Sequence, residues 1–167
     1  MTSDTTIRQG LRPGDIGTIA RMHGVLYERE YGLDHRIEAS VAEGLARVAD
    51  ALADSDGRGD AALWVAECGD EIVGAIGMTW EGDRTARLRW FLVSPAARGT
   101  GIGSRLLGAA IGWADDRDAE LVFLLTFGDL VAAAHLYERA GFRKVDERVG
   151  TEWSETLVEE RWELRLP

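Results

Sequence analysis

Seven consecutive residues, Arg98-Gly99-Thr100-Gly101-Ile102-Gly103-Ser104, combine three glycines, two hydroxyls and a guanidinium. A strand-like apolar run over residues 88–93 leads into them through Ser94-Pro95-Ala96-Ala97. After them, Ile102, Leu106, Leu107, Ala110 and Ala114 recur at helical spacing. The chemistry this suits is anion binding. The first amides of a helix lack intrahelical acceptors and sit at the positive end of its dipole, and glycines remove the side chains that would keep a phosphate away. Two familiar phosphate loops do not fit. A P-loop needs Gly-Lys-Ser/Thr after its last glycine, and the dinucleotide pattern GxGxxG fails at Leu106. What remains is Arg98-x-x-Gly101-x-Gly103, for which a phosphate-bearing cofactor is the expected ligand.

The elements that must position this loop can be read along the chain. Residues 5–11 form a short strand stopped by Arg12-Pro13-Gly14. Ile16, Ile19, His23, Leu26 and Tyr27 then mark a helix that ends near Glu30 or Tyr31, with Gly32 as its stop. Ile37, Val41, Leu45, Val48 and Leu52 form the stripe of a second helix, and residues 54–60 form a polar loop. Strands over 62–68 and 71–80 make a hairpin across Gly69-Asp70. A turn at Glu81-Gly82-Asp83 leads to the strand 85–93, which completes an antiparallel meander. The helix from about 101 to 118 is a crossover, so the apolar run 121–126 lies parallel to a neighbour. Asp129 is the expected N-cap of a further helix, carrying Ala133, Leu136, Tyr137 and Ala140 inward and ending at Gly141. Strands over 142–149 and 156–166 close the chain. The order predicts one α/β (α+β) domain over residues 1–167, with a mixed, mostly antiparallel sheet flanked by helices.

The loop, the strand ending Leu-Val-Ser-Pro before it, and Leu136-Tyr137-Glu138-Arg139-Ala140-Gly141-Phe142 after it together resemble the GNAT superfamily of N-acetyltransferases. Other stretches are most similar to the acetyltransferase half of MarR–GNAT fusion proteins: Leu11-Arg12-Pro13-Gly14-Asp15, residues 23–32, Asp129-Leu-Val-Ala-Ala-Ala and Trp162-Glu-Leu. No MarR-type half is present in the sequence. The resemblance implies acetyl-CoA as co-substrate, with its phosphates on Arg98, Gly99, Thr100, Gly101, Ile102, Gly103 and Ser104. Its pantetheine arm would lie against main-chain groups of Leu92 and Val93, in a slot between the strands 88–93 and 121–126. Tyr137 then corresponds to the tyrosine that protonates the departing thiolate. A phenol stays protonated at neutral pH and can serve as that acid; the competing reading is an aromatic packed in the core with its hydroxyl bonded. Many members carry an asparagine seven positions before this tyrosine, where this chain has Leu130.

The acceptor side is less marked. By the two-residue period Arg87, Arg89 and Phe91 share a face of their strand, which leaves no carboxylate where several members place one. Glu28, Glu30, Glu81 and Asp83 are acidic candidates. Tyr27 and Glu30, three apart on the first helix, could offer an aromatic wall and a carboxylate to an amine cation, which makes Glu30 the candidate catalytic and substrate carboxylate. His23 falls on the apolar stripe as a core or pocket-edge histidine, and His135 is expected to be exposed. Trp80 and Trp90 are the tryptophans best placed to line a pocket.

With 167 residues, 46% of them hydrophobic, the chain can bury one core. Its 29 acidic against 19 basic residues give a net charge of −10, which argues against a nucleic-acid surface and suits either solubility or a cationic partner. Cys68 is the single cysteine, so neither an internal disulfide nor a cysteine metal cluster is expected, and no metal cofactor is. The start lacks a signal-peptide pattern and no apolar run reaches spanning length, so a cytoplasmic location without membrane contact is expected. The expected activity is acetyl transfer to the primary amine of a small molecule. Acyl-CoA sensing without turnover and acetylation of a protein lysine or N-terminus are the alternatives, and a homodimer is left open.

Overall fold

The computed structural model describes residues 4–53, 59–151 and 153–167. Most of the polar loop expected at 54–60 lies outside these residues. Seven strands form one sheet in the order β1-β2-β3-β4-β5-β7-β6. They are β1 (Thr5–Gln9), β2 (Ala61–Cys68), β3 (Glu71–Gly82), β4 (Thr85–Val93), β5 (Leu121–Phe127), β6 (Arg143–Thr151) and β7 (Ser154–Arg165). Every neighbouring pair is antiparallel except β4 and β5, which the crossover helix makes parallel. The predicted mixed, mostly antiparallel sheet is therefore present.

Five helices cover the sheet: α1 (Asp15–Tyr31), α2 (Arg36–Arg47), α3 (Ala49–Ala53), α4 (Ile102–Asp115) and α5 (Val131–Arg139). α1 stops where Gly32 turns left-handed at φ 67°, its amide donating to Glu28 O and the Leu33 amide to Tyr27 O. The stripe expected as one long helix over 37–52 is broken at Val48, so Leu52 reaches the core from the separate α3. α5 starts one residue later than expected, with Leu130 rather than Asp129 at the cap position and no side-chain cap. Asp83 and Arg84, both at positive φ, make the β3–β4 turn, one residue beyond the expected position.

The alternation of β2 and β3 divides the core. Ala62, Trp64, Ala66, Ile76 and Met78 face α4 and α5, where Ile102, Leu106, Leu107 and Ala110 are buried. Leu63, Val65 and Ala75 face the other way, toward Ile19, Val41 and Leu45 of α1 and α2. A third apolar group, Leu33, Ile37 and Phe127 with Tyr27, Tyr31, Leu130 and Trp153, closes the end of the sheet between α1 and β5.

β4 does not keep one period throughout. Its pairing with β3 slips between Gly77↔Arg89 and Ala75↔Leu92, and Trp90 sits at the slip with φ 51°. A positive φ is unusual for a bulky side chain and costs on the order of 1 kcal/mol or more. The packing of the indole offsets this cost. Gly77 and Gly44 both lack the Cβ that would meet it, at 2.3 Å and 3.1 Å respectively, so Trp90 is seated between β3 and α2. The bulge also corrects the expected face. Before it Ala86 and Leu88 point at the α4 core, whereas after it Phe91 and Val93 do. Arg87 and Arg89 consequently share the α2 side of the strand without Phe91.

Candidate active site

β4 and β5 pair only from Thr85↔Leu121 to Arg87↔Phe123. Beyond that point β4 continues on β3 and β5 continues on β7, and the two strands separate. A pocket of about 270 Å³ occupies the gap, lined by residues 87–93 of β4 and 124–127 of β5. Leu92 and Val93 stand on its wall, where the family resemblance implies the slot.

At one mouth of the gap lies the glycine loop. Pro95–Ala97 makes a 3₁₀ turn, Thr100 Oγ1 donates to Ala97 O at 2.6 Å, and Gly99 and Gly101 take φ of 76° and 85° with open space around their α-carbons. These two positions need glycine for conformation. Gly103 needs it for packing, because a Cβ there would lie 3.1 Å from Leu136 Cδ1 and 3.6 Å from Val93 Cγ2. The first amide to enter the helical ladder is Arg105, bonded to Gly101 O at 3.1 Å. Among the described residues the amides of Gly99, Thr100, Gly101, Ile102, Gly103 and Ser104 find no acceptor. The Ile102 side chain is buried in the core, so only its main chain is offered. A run of unbonded amides at the start of a 14-residue helix suits a phosphate group.

Arg98 is engaged within the protein. Its Nε donates to Val93 O at 3.2 Å, and its two terminal nitrogens donate to the two oxygens of Glu30 at 2.8 and 3.1 Å. The sequence reading treats Glu30 as a carboxylate open to an amine. The structure instead gives it to Arg98, which ties the end of α1 to the loop. Tyr27 does share its helix face, and both residues line the pocket.

Tyr137 is 4% exposed, with its ring 6.1 Å from Phe91, 5.8 Å from Phe142 and 6.1 Å from Trp162. Among the described residues nothing bonds its hydroxyl, and the residue lines the pocket. That separates it from a core tyrosine with a satisfied hydroxyl. Burial, then the nearby Tyr27, pushes its pKa well above that of a free phenol, so it is held protonated.

Where α1 meets β5, the pocket wall is aromatic. Tyr27 meets Tyr31 at 5.6 Å, Phe127 at 6.4 Å and His23 at 5.6 Å between ring centroids, and Phe127 meets Trp153 at 5.5 Å. His23 is a pocket-edge residue, 3% exposed, with Nδ1 2.9 Å from Ile19 O. That contact assigns the proton to Nδ1 and leaves Nε2 as the acceptor. Burial brings its pKa down to about 4, so it is neutral at pH 7. Leu130, in place of the common asparagine, packs with Phe127 and Ile37 on the pocket wall. Arg87 and Arg89 also line the pocket.

Other candidates lie elsewhere. Glu28 lines a separate shallow groove, and Glu81 accepts from Thr79 Oγ1 at 2.6 Å. Asp83 is in the β3–β4 turn, and His135 is exposed beside Glu138. Trp90 lines the pocket, but Trp80 does not. Sequence reasoning missed Tyr31, Phe127, Trp153 and the two β4 arginines as pocket residues. Tyr31 alone left a local signal, standing four residues after Tyr27 on one helix face. Among the described residues, no three His, Cys, Asp or Glu side chains converge as a metal site, and no helix is long and apolar enough to cross a membrane.

Comparison with known proteins agrees with this geometry. A GNAT acetyltransferase from Staphylococcus aureus Mu50 superposes with a TM-score of 0.77 at 17% identity, covering 98% of this chain and 100% of that one. The ribosomal-protein-alanine N-acetyltransferase of Brucella melitensis gives 0.68 at 22% identity over 96% and 99%. A Bacillus anthracis protein crystallised with acetyl coenzyme A gives 0.58 at 24% identity over 65% and 64%. The sequence profile of the acetyltransferase (GNAT) family matches residues 27–142, from the Tyr27 of the aromatic wall to the Phe142 behind Tyr137, and the chain belongs to that family.

Proposed function

We propose that this chain is an acetyl-CoA-dependent N-acetyltransferase acting on the primary amine of a small molecule, by direct attack within a ternary complex. The observation that carries the reading is the run of unbonded amides from Gly99 to Ser104, at the mouth of a gap whose wall presents the unbonded hydroxyl of Tyr137. The Bacillus anthracis neighbour, crystallised with acetyl coenzyme A, supports the choice of donor.

Acetyl-CoA, when bound, supplies an activated thioester; the remaining work belongs to the chain. Amides of residues 99–104 hold the phosphates, and the main chain of Leu92 and Val93 aligns the pantetheine arm. Fixing donor and amine together can account for roughly 7–11 kcal/mol of the barrier. The amine nitrogen attacks as the free base. As the C–N bond forms and the C–S bond breaks, Tyr137 gives its proton to sulfur, and the proton shed by the amine nitrogen returns to the Tyr137 oxygen, which restores the phenol. Glu30 positions Arg98 and closes the pocket beside Tyr27. We extend the reading to a single domain over residues 1–167 in the cytoplasm, and to the MarR–GNAT-like subgroup that the wording of the chain resembles.

The test is release of free CoA from acetyl-CoA across a panel of amines, beside calorimetric binding of acetyl-CoA. Amine-dependent release supports the enzyme. Tight binding with no release on any amine would support a sensor, and no binding at all would refute the donor assignment.

A further inference from the structure

Arg87 and Arg89 point from β4 to its α2 side, two residues apart and just before the bulge. Among the described residues neither has a carboxylate within 4 Å. The Nε of Arg87 is buried with no acceptor, and its guanidinium lies over Phe123 at 5.7 Å. The Arg89 guanidinium lies over Trp90 at 5.2 Å. Burial, and then the neighbouring Arg87, hold the Arg89 pKa below its usual value. The acids that could have answered them are committed elsewhere. Glu81 accepts from Thr79, Glu159 pairs with Arg148 at 2.8 Å, Glu163 pairs with Arg161 at 2.9 Å, and Glu30 pairs with Arg98. In a chain with ten more acidic than basic residues, neither cation has an ion-pair partner among the described residues, although the charge of Glu81 acts on Arg89 from beyond ion-pair distance.

Leaving charge partly buried and unpaired is costly, and the cost is recovered when an anion arrives. The phosphates of the donor are poor candidates for that anion. Six residues of strand separate Arg87 from Val93, roughly 20 Å, and the amide loop lies beyond. Both arginines line the same pocket as the aromatic wall of Tyr27, Phe127 and Trp153: Arg87 is level with Phe123, and Phe127 lies four residues, roughly 13 Å, further along β5. Resting on the acetyltransferase reading, we infer that the acceptor is an amine that also carries a carboxylate, held by the guanidinium groups of Arg87 and Arg89, with an apolar body against the aromatic wall. Planar guanidinium matches planar carboxylate with paired N–H donors, which makes the carboxylate the fitting oxyanion. The net acidity of the chain and the Tyr27–Glu30 face suggest a cationic acceptor, but Arg98 already neutralises Glu30.

The experiment compares aromatic and aliphatic amino acids with their carboxamides as acceptors. Charge-assisted hydrogen bonds contribute about 1.5–3 kcal/mol, so kcat/KM should favour the acid by roughly 10- to 150-fold. It should do so even though the amide has the less basic, more readily deprotonated amine. Arg87→Gln and Arg89→Gln should each remove most of that preference while the Kd for acetyl-CoA stays within about twofold. Arg89→Lys should retain part of it. Relief of unmatched charge should also raise the ligand-free Tm of the glutamine variants, which a structural role for the arginines would lower. Calorimetry of N-acetyl amino acids against N-acetyl amino amides, with CoA present, reads the same site without turnover. It therefore separates failure of this inference from failure of the enzyme reading. Amides used or bound as well as acids, or a preference that survives in the Arg87→Gln/Arg89→Gln protein, would overturn the inference.

Discussion

Arg98 and the pair Arg87 and Arg89 line opposite ends of one pocket and are compensated in opposite ways. At the donor end both oxygens of Glu30 grip Arg98, and the open groups there are neutral amides, which cost little while they face solvent. At the proposed acceptor end two guanidinium groups stand against aromatic rings, with no carboxylate in ion-pair distance among the described residues. The lesson is that a ligand's charge need not be met by the obvious charged residue. On the proposed reading, phosphate is met by backbone dipoles while the loop arginine is occupied with structure, and the charged contacts of Arg87 and Arg89 are kept for the acceptor.

The largest effect should come from destroying the backbone cradle. Gly103→Asp places a carboxylate among the amides of α4 and drives a Cβ toward Leu136 and Val93, so acetyl-CoA binding measured by calorimetry should be lost. Gly103→Ala, which adds the crowding without the charge, should keep part of the affinity. Unchanged affinity in a folded Gly103→Asp protein would remove the donor end from the comparison.

A smaller effect belongs to His23, the neutral imidazole at the acceptor end. Its pKa is about 4 in the folded chain against 6.5 unfolded. Above pH 6.5 both states are neutral and the residue adds no pH dependence. As pH falls from 6.5 toward 4 the unfolded chain takes up the proton first, so stability declines, by about 3 kcal/mol once both forms are protonated. Chemical denaturation at pH 7 and at pH 4.5 should show a steeper loss for the wild type than for His23→Phe. Equal losses would place His23 in a wetter site than the structure gives it.

The smallest effect sharpens the donor end itself. Glu30 competes with any phosphate for Arg98, and the pair is partly exposed, with 45% and 26% of the side-chain surfaces accessible. Such pairs contribute up to about 1 kcal/mol, so Glu30→Gln should tighten acetyl-CoA binding by no more than about fivefold. A marked weakening would show instead that Glu30 organises the loop for its ligand.

Much of this was legible in the chain because the requirement was local. Gly99 and Gly101 are dictated by left-handed turns, Gly32 by a helix stop, and the meander by two short turns. The parallel pairing of β4 and β5 follows from the crossover helix, whereas the slot was implied by the family resemblance alone and arises where the pairing stops at Arg87↔Phe123. What escaped was set by tertiary packing. No neighbour in sequence announces that Trp90 will adopt a positive φ, because the space it fills is left by Gly44 on α2 and Gly77 on β3. That bulge separated Arg87 and Arg89 from Phe91. The aromatic wall draws on α1, β5 and the β6–β7 turn, so Tyr31, Phe127 and Trp153 meet only once the sheet is assembled. Leu130 escaped similarly: its value lies in packing beside Phe127 rather than in capping α5.

The most direct test of the account is the Tyr137→Phe protein, assayed for steady-state turnover, acetyl-CoA affinity and thermal melting on one preparation. The ring keeps its contacts with Phe91, Phe142 and Trp162, and only a hydroxyl without a partner among the described residues is removed. The account predicts a fall in kcat of about 10²–10⁴-fold, with acetyl-CoA affinity and Tm nearly unchanged. Full turnover in the folded variant would contradict it, because the proton for sulfur would then come from elsewhere.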